Sequence, residues 1–504
     1  MKTASRIPPL VALLAFGVSL LISWAALDLT PHVTDEVSYL FQGRLLASGR
    51  VCLDPPPASV LFAMENIIRR PGIWCSLYPP GWPLLLAIGW LVGAPWLMSP
   101  LLLGLSVVGV WVLGRKLFDA RVGVLAAVAL AASPFALVMG AGFMSHAASL
   151  CAVVWCMAAL ADGAESARPK VLLAAGLLGG YAFLIRPYTA VVLLAPFVLW
   201  CLFRVRRDRR WLPALGPALG WMALGALPCV AGFLLYNQAA FGHPLTTGYQ
   251  VYNESRFGQV ESMALSPAEA LRRNLPWYLE NLDRALWGWP WPSFLVFLPL
   301  LRPRPGRGRD ALLFLCAAGL VLAYCGYYWR DVIYAGPRFA FEALGPLSVL
   351  AARSLLTLVE GLDRLLGPGR RTLRLAVLGL GAALLLVFPL GRRLPEQILH
   401  HSGWYLAVSA EPLRKAAEAD VGPDALVFVS GTAWCYSGFF LENAIPPQAG
   451  RRVYVRDIPP LRGAALKAYG RPEVWVARVV VEIPDRVNAP DIARPVEVSW
   501  RRLR

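Results

Sequence analysis

The chain is organised around the stretch from Thr34 to Pro83. It opens with Thr34-Asp-Glu-Val-Ser-Tyr39 and closes with Leu77-Tyr-Pro-Pro-Gly-Trp-Pro83, and a long apolar run lies on each side of it. Two adjacent carboxylates, Asp35 and Glu36, stand where the first apolar run has just ended. Apolar runs of about 20 residues have the length that crosses a bilayer as a helix. The stretch is therefore predicted to be a loop between two membrane spans.

The composition supports a membrane protein. The chain has 504 residues, of which 57% are hydrophobic and 16% are charged, whereas a soluble chain has about 25% charged residues. The net charge of +17 would suit a nucleic-acid partner, but the basic residues cluster in short loops between apolar runs. This distribution is the positive-inside pattern of membrane proteins, so no nucleic-acid partner is expected.

The carboxylates Asp35 and Glu36 have two interpretations. Thr34 is a good N-cap, and acids in a first helical turn are favoured by the helix dipole, so they could simply begin a helix that lies on the membrane surface. The same geometry holds a carboxylate near the lipid headgroups, where it could take a proton from a hydroxyl as general base. The residues alone leave both interpretations open.

Clusters of basic residues indicate on which side of the membrane each remaining loop lies. The first apolar run is expected to begin in the cytoplasm, and the interrupted run from Leu84 to Leu113 is expected to make one net crossing, because Arg115, Lys116 and Arg121 follow it. Alternating the later runs predicts about eleven transmembrane helices in a domain of residues 1–391. Its first outer loop is 31–83 and its second long outer loop is 237–285. A separate span is expected from Trp287 to Leu300.

The composition changes near residue 392. Ala425–Ser430 and Glu473–Glu482 are rich in β-branched and aromatic residues and predict strands, and Pro412–Ala419 predicts a helix. Residues 392–504 are therefore expected to form a small α/β domain on the outer side. The first loop also contains Cys52 and Cys75, which could pair in an oxidising compartment, although spacing alone does not decide this.

Several motifs together resemble the GT-C glycosyltransferases. They are the Asp35-Glu36 opening with Tyr39, the Tyr78-to-Pro83 closing motif, Phe241-Gly-His-Pro244 with Tyr249, and Tyr334-Ala-Gly-Pro-Arg-Phe339 with Glu342. These membrane enzymes use polyprenyl-phosphate sugars and include protein O-mannosyltransferases and the lipid A aminoarabinose transferase. The resemblance implies an all-α polytopic fold with its active face outside.

The resemblance also implies the roles of the first-loop acids. The first-loop aspartate is the essential acid of the family, so Asp35 is expected to be catalytic, and the adjacent Glu36 is the second catalytic candidate. The family often adds a second acid and a divalent metal, but the corresponding loop here, Gly140-Ala-Gly-Phe-Met-Ser-His146, has no carboxylate. A Mg²⁺ or Mn²⁺ cofactor is thus left open. Asp35 and His146 are the candidate metal ligands, and His146 is equally a candidate substrate contact or a helix cap.

A lipid-phosphate donor needs cations beside its leaving group. Arginine suits this role because its planar fork matches phosphate. The candidates are Arg44, Arg69, Arg70, Arg186, Arg256, Arg330 and Arg338. Arg338 is favoured, with Arg186 behind it, because ionisable residues near membrane depth are usually functional; an ion pair of Arg338 with Glu342, four residues on, is the alternative. Tyr39, Tyr78, Tyr249 and Glu342 are further candidate substrate contacts.

The function that the resemblance implies is inverting transfer of a sugar from a polyprenyl phosphate to a hydroxyl of a lipid, glycan or protein acceptor. The alternatives are a flippase for a lipid-linked sugar and a non-enzymatic envelope assembly factor. Polar residues at outer span ends favour surface chemistry over the midplane sites of transporters. The scarcity of lysine, five of 48 basic residues, suggests a GC-rich bacterial genome. The expected location is therefore the bacterial inner membrane, and the predicted order of spans puts the active face and the C-terminal domain on its extracytoplasmic side.

Overall fold

The structure is a computed structural model that describes residues 6–166, 168–207, 215–257, 266–301, 305–327, 329–366, 371–482 and 494–504. Helices form most of the part before residue 392. They are α1 (Ile7–Ala25), α2 (Thr34–Ala47), α3 (Gly81–Leu91), α4 (Met98–Leu117), α5 (Ala120–Ala131), α6 (Pro134–Met139), α7 (His146–Ser166), α8 (Pro169–Ile185), α9 (Pro187–Arg207), α10 (Leu215–Phe241), α11 (Gly248–Phe257), α12 (Pro267–Glu269), α13 (Leu275–Leu286), α14 (Arg307–Cys325), α15 (Leu344–Leu366) and α16 (Arg371–Leu386).

Seven helices within the described ranges are long and apolar enough to cross a membrane. They are α1, α4, α7, α9, α10, α14 and α15, and three shorter apolar helices, α3, α5 and α8, accompany them. About eleven spans were expected. Among the described residues, the three shorter apolar helices account for most of the difference from seven. The arginines Arg209, Arg210, Arg302, Arg304 and Arg370 of the predicted cytoplasmic loops lie outside the described residues.

The interrupted run after the first loop contains one spanning helix. The eleven residues of α3 rise only about 16 Å at 1.5 Å per residue, which is half the hydrocarbon thickness. A break at Gly93, which has a φ of +73°, separates α3 from the spanning helix α4. This agrees with the expectation of a single net crossing.

The span predicted from Trp287 to Leu300 is wrong as an α-helix. The structure forms a 3₁₀ helix over Ser293–Leu301 instead. Gly288, Pro290, Pro292 and Pro299 explain the difference, because proline lacks the N–H that an α-helix needs and glycine disfavours helix interiors.

The first outer loop is an ordered layer. It contains α2 and an antiparallel hairpin of β1 (Ile67–Arg70) and β2 (Ile73–Ser76), and a disulfide joins Cys52 to Cys75. A second small hairpin, β3 (Val332–Ile333) with β4 (Gly336–Pro337), precedes a 3₁₀ helix over Arg338–Ala343 that leads into α15. The second outer loop is largely helical, because α11, α12 and α13 all lie in it.

The C-terminal part contains the expected strands around one sheet. Its elements are α17 (Leu394–His401), α18 (Glu411–Glu418), β5 (Ala425–Ser430), α19 (Ala433–Phe440), β6 (Val453–Arg456), α20 (Arg462–Tyr469), β7 (Glu473–Glu482) and β8 (Arg494–Arg502). The strand order is β6-β5-β7-β8, with β5 parallel to β6 and β7, and β8 antiparallel to β7. The predicted strands and helix α18 are confirmed.

The C-terminal sheet packs directly on the first outer loop. One hydrophobic core contains Val37, Phe41 and Leu45 of α2 together with the buried side chains of β5, β6 and β7. The rings of Phe41 and Phe440 lie 5.4 Å apart, and the Tyr469 hydroxyl donates to the Pro57 carbonyl at 2.7 Å. The loop that carries Asp35 is thus held between the membrane helices and the sheet.

Candidate active site

Asp35 lies at the start of α2, where three side chains surround its carboxylate. The Tyr78 hydroxyl donates to Oδ1 at 2.6 Å, and Arg338 Nη1 donates to the same oxygen at 2.9 Å. The Asn66 amide donates to Oδ2 at 3.4 Å. Burial alone would raise the pKa of Asp35, but the charge of Arg338 and the Tyr78 hydrogen bond lower it below its ordinary value. The carboxylate is therefore ionised at neutral pH.

Arg338 is shared between two carboxylates. Its Nη1 reaches Asp35, and its Nε donates to Asp331 at 2.9 Å. The guanidinium also lies over the ring of Phe339, 4.8 Å from the ring centre. Because Arg338 begins a 3₁₀ helix rather than an α-helix, it does not pair with Glu342, four residues on. Nη2 makes no hydrogen bond to any residue that the structure describes.

A second ionic cluster lies where α7 and α9 begin and just before α15. Arg186, between α8 and α9, places its Nε 3.2 Å from Glu342 Oε1, and His146 Nδ1 lies 3.3 Å from the same oxygen. Arg186 Nη1 lies 3.4 Å from His146 Nε2. Since arginine can only donate, Nε2 must accept and Nδ1 must carry the proton. His146 and Glu342 are fully buried.

Tyrosines connect the two clusters. The ring of Tyr39 packs 4.3 Å from that of Tyr78, and its hydroxyl lies 3.2 Å from the Ser145 hydroxyl. Arg186 Nη1 approaches Ser145 at 3.4 Å. Tyr249 meets Tyr78 edge-on at 5.8 Å and is 46% exposed. An aromatic surface therefore leads from solvent to Asp35 and toward Arg186.

Glu36 points into the protein instead of toward Asp35. Its Oε2 accepts from the backbone N–H of His32 at 2.9 Å and of Val33 at 3.2 Å, and from the Tyr334 hydroxyl at 2.9 Å. Oε1 accepts from the Phe143 N–H at 2.6 Å. Burial raises the pKa of Glu36 to about 7, although these four donors favour the carboxylate. Glu36 therefore contacts three backbone N–H groups and Tyr334 rather than the surroundings of Asp35, and its catalytic role stays a prediction.

The closing motif of the first loop, Tyr78 to Pro83, holds the surroundings of Asp35 against the end of α8 and the loop before α7. A Cβ on Gly81 would lie 2.6 Å from backbone atoms of Leu184 and Ile185, so only glycine lets the start of α3 contact the end of α8, beside Arg186. The fully buried Trp82 donates its indole N–H to the Phe143 carbonyl at 2.7 Å. The same motif carries Tyr78, so it joins Asp35 to the loop before α7.

Three of the predicted arginines lie away from this cluster. Arg44 donates to the carbonyls of Leu441 and Asn443, both at 2.8 Å, and lies over the Trp90 ring. Arg69 reaches Ser59 at 3.4 Å, and Arg70 lies 3.8 Å from Glu254. Of the others considered, Arg330 donates to the Arg273 carbonyl, and Arg256 lies in α11.

Four groups that contact the predicted residues have no role predicted from the sequence, although Tyr334 stands in the Tyr334-to-Phe339 motif. Asp331 forms an ion pair with Arg338, and the Asn66 amide donates to Asp35. The Tyr334 hydroxyl donates to Glu36. The Tyr324 hydroxyl accepts from Arg186 Nη2 at 3.2 Å. A local signal existed for Asp331 and Tyr334, which precede Arg338 in the same short turn. Asn66 and Tyr324 are distant in sequence from their partners and carry no such signal.

The residues around Asp35 do not fit a Mg²⁺ or Mn²⁺ ion. Such ions need several oxygen ligands, whereas the groups beside Asp35 are the hydrogen-bond donors Tyr78, Arg338 and Asn66. Both ring nitrogens of His146 already face Arg186 and Glu342. Among the residues that the structure describes, no three His, Cys, Asp or Glu side chains converge as metal ligands.

Comparison with known proteins identifies the class of fold. Residues 81–236 match the family model of dolichyl-phosphate-mannose-protein mannosyltransferases. The structure is similar to ArnT from Cupriavidus metallidurans bound to undecaprenyl phosphate, with a TM-score of 0.56 and 15% identity over 94% of this chain and 93% of that one. A search of the curated proteins finds no match in sequence.

An oligosaccharyltransferase is also similar. The Archaeoglobus fulgidus oligosaccharyltransferase tethered with an acceptor peptide has a TM-score of 0.55 and 14% identity over 96% of this chain and 70% of that one. Its complex with Zn and sulfate gives a TM-score of 0.51 at 14% identity, over 93% and 68% of the two chains. These matches confirm the predicted resemblance. The chain has the GT-C fold of polytopic membrane glycosyltransferases, with a small C-terminal sheet domain.

Proposed function

We propose that this protein transfers a sugar from a polyprenyl phosphate to an acceptor hydroxyl on the extracytoplasmic face of the membrane. The observation that carries the proposal is the environment of Asp35, which is ionised, oriented by Tyr78 and Arg338, and connected through Tyr39 to the cationic cluster of Arg186. The GT-C fold and the lipid phosphate bound by the similar ArnT support a lipid-phosphate donor.

In the proposed reaction, Asp35 acts as general base. The acceptor O–H bond breaks and its proton passes to a carboxylate oxygen of Asp35. The acceptor oxygen bonds to the anomeric carbon on the face opposite the phosphate, and the bond from that carbon to the phosphate oxygen breaks. The electron pair leaves with the phosphate, so the configuration at the anomeric carbon inverts. No step is assigned to a metal ion.

Arg186 is the better placed cation for the departing phosphate. Only its Nε faces a carboxylate, whereas Nη1 and Nη2 make contacts of 3.2 to 3.4 Å with uncharged groups, the Ser145 and Tyr324 hydroxyls and the His146 ring. These weak contacts can be exchanged for phosphate oxygens, which arginine binds in a bidentate manner. Arg338 instead orients Asp35, and its Nη2 remains for a second phosphate contact.

The test is transfer by the purified protein in proteoliposomes. Radiolabelled polyprenyl-phosphate sugars would be the donors, and a membrane extract would supply the acceptor. Wild type should move label to the acceptor, and Arg186→Lys should raise the donor KM about tenfold or more, because lysine keeps the charge but loses the fork. Arg330→Lys is the matched control, since Arg330 is bound to the Arg273 carbonyl.

The same vesicles separate a transferase from a flippase for the lipid-linked sugar. If labelled donor crosses the bilayer and no label reaches any acceptor, the transferase proposal fails and the flippase is supported. Equal donor KM values for wild type and Arg186→Lys would leave the transferase standing and remove Arg186 from the phosphate site.

A further inference from the structure

A small cavity lies on the side of Asp35 that faces the C-terminal sheet. Its volume is about 240 Å³, and its lining is Thr34, Ala63, Met64, Glu65, Tyr252, Trp434 and Arg456. Three parts of the chain meet here: the first outer loop, helix α11 and the C-terminal sheet domain. Nothing in the proposed chemistry of Asp35, Arg186 and Arg338 uses this cavity.

The cavity is one residue from the proposed base. Thr34 lines it and directly precedes Asp35. The Asn66 amide lies 3.3 Å from the Thr34 hydroxyl and 3.4 Å from Asp35 Oδ2, and the Asn66 backbone N–H donates to the Tyr252 hydroxyl at 3.3 Å. A ligand in the cavity would therefore contact Thr34, which shares the Asn66 amide with the adjacent Asp35.

The C-terminal domain supplies a cation and an aromatic ring to this cavity. Among the residues that the structure describes, the Arg456 guanidinium makes no hydrogen bond or ion pair, and the Trp434 indole N–H donates to no acceptor. The arginines around it do have partners; Arg452, for example, donates to the Gly422 carbonyl at 2.9 Å. A half-buried arginine without a partner at the wall of a cavity suits an anionic ligand group, which the guanidinium binds through its fork.

The remaining walls suit the body of a sugar. Glu65 and Thr34, which are 3.4 Å apart, can bond ligand hydroxyls, and Trp434 and Tyr252 offer aromatic surface. The volume falls just below the range of about 300–1,000 Å³ for drug-sized ligands, so the cavity holds one ring rather than an oligosaccharide. The donor phosphate belongs on the other side of Asp35, beside Arg186 at the outer ends of α7, α9 and α15.

We infer that this cavity is the acceptor subsite and that it binds an acidic sugar unit, with Trp434 against the ring and Arg456 on its carboxylate or phosphate. The inference rests on the proposed function, because it takes the ligand to be the acceptor of that transfer. It goes further by naming the chemical class of the acceptor and by giving the C-terminal domain a part in selecting it.

The test measures binding, so that it does not depend on transfer. Purified protein in detergent would be titrated with methyl glucoside, glucuronic acid and glucose 6-phosphate, and saturation-transfer NMR would report each dissociation constant. Wild type and Asp35→Asn should bind one or both acidic sugars about tenfold or more tightly than the neutral one. The acidic sugar with the lower dissociation constant shows whether the site prefers a carboxylate or a phosphate.

The variants assign the contacts. Arg456→Gln should remove the preference for acidic sugars, whereas Arg451→Gln, which changes an exposed arginine paired with Asp424 on the same domain, should keep it. Trp434→Ala should weaken all three sugars, and Trp434→Phe should restore part of the affinity because it retains a ring. Thermal unfolding of each variant shows that it is folded.

Two results would overturn the inference. One is that none of the three sugars binds wild type; the other is that Arg456→Gln and Trp434→Ala bind all of them as wild type does. Either result leaves the transfer assay unaffected. Conversely, failure of transfer with every donor would remove the proposed function while acidic-sugar binding at Arg456 could still be observed.

Discussion

At the scale of single residues, Asp35 combines burial with strong hydrogen-bond donors. Burial disfavours the charged carboxylate, but Arg338 and Tyr78 outweigh it and hold the pKa below its ordinary value. In its proposed role as general base, Asp35 is thus ionised at neutral pH, although its affinity for a proton is low. We therefore expect Asp35 to remove the acceptor proton only as the new bond forms, when the acceptor oxygen becomes strongly acidic.

Replacing Tyr78 tests this balance. Tyr78→Phe removes the 2.6 Å hydrogen bond to Asp35, which raises the pKa of the carboxylate, so the acidic limb of the pH–rate profile should move to higher pH. The transfer rate at neutral pH should fall about tenfold, because losing a charge-assisted hydrogen bond that orients Asp35 outweighs the gain in its basicity. Tyr181→Phe, which loses only a bond to the Gly81 carbonyl, should leave the profile unchanged. An identical profile for Tyr78→Phe would contradict the account.

Sequence reasoning reached part of this site. The loop motifs and the cost of placing charge near the membrane predict Asp35, Tyr78, Arg338 and Arg186. The structure brings the first three into contact and places Arg186 in the neighbouring cluster. Asn66 was not named, because its partners Thr34 and Asp35 are about thirty residues away and only the fold of the hairpin brings it back. Arg44 was named for phosphate, yet it reaches the C-terminal domain, which local sequence could not reveal.

At the scale of elements, Glu36 joins segments that are far apart in the chain. It bonds the turn before α2, the loop before α7 and the strained turn at Tyr334, where Tyr334 and Ala335 have φ values of +53° and +75°. Gly142 permits this contact, because a Cβ there would lie 2.7 Å from Glu36 Oε1. Glu36 therefore fixes the start of α2, and with it the position of Asp35.

The raised pKa of Glu36 predicts a pH-dependent stability. The folded state holds its proton up to about pH 7, whereas the ordinary value is 4.5, so this contribution is present below pH 4.5 and is lost as the pH rises through 7. The stability of wild type relative to Glu36→Gln should therefore fall by up to about 3 kcal/mol between pH 5 and pH 8. Thermal unfolding in detergent measures it, and a difference that does not change with pH would refute the assignment.

The contact between α3 and α8 predicts a second stability effect. Gly81→Ala forces its Cβ to within 2.6 Å of backbone atoms of Leu184 and Ile185, which cannot rotate away as a side chain would. The expected loss is about 1–3 kcal/mol, seen as a lower unfolding temperature. Gly17→Ala, where nothing lies within 4 Å, should cause no loss. Equal unfolding temperatures for Gly81→Ala and wild type would show that the two helix ends do not pack as described.

The sequence predicts helices and strands well where their composition is distinctive, and poorly where proline and glycine decide the backbone conformation. The strands β5 and β7 and helix α18 were predicted from composition, because β-branched runs and helix formers mark them clearly. The run from Trp287 to Leu300 was apolar enough for a span, but its prolines and glycine direct the backbone away from an α-helix. Hydropathy measures affinity for lipid and does not report whether the backbone can form an α-helix.

At the scale of the whole molecule, the C-terminal domain and the first outer loop share one core. Side chains of α2 pack among those of β5, β6 and β7, so the sheet domain stabilises the loop that presents Asp35. Composition indicated a domain boundary near residue 392. It could not indicate which surface of the membrane part the domain covers, because that depends on contacts between distant segments.

Arg44 provides a test of this packing. Arg44→Gln removes two 2.8 Å hydrogen bonds to the carbonyls of Leu441 and Asn443, which should weaken the packing of the C-terminal domain by about 1–3 kcal/mol. Limited proteolysis should then cut between α16 and β5 faster, while the donor KM stays that of wild type. A raised donor KM with unchanged proteolysis would instead return Arg44 to the phosphate site.

A comparison of Asp35→Asn with Asp54→Asn in the transfer assay tests the proposed role of Asp35 as general base. Both changes remove one carboxylate from the first outer loop, and Asp54 lies exposed on its surface. Asp35→Asn should bind the donor and lose about a thousandfold or more in transfer rate, as expected when a general base is removed, and Asp54→Asn should transfer as wild type does. Equal transfer by Asp35→Asn and wild type would contradict the account and leave Asp35 as a residue that only begins α2.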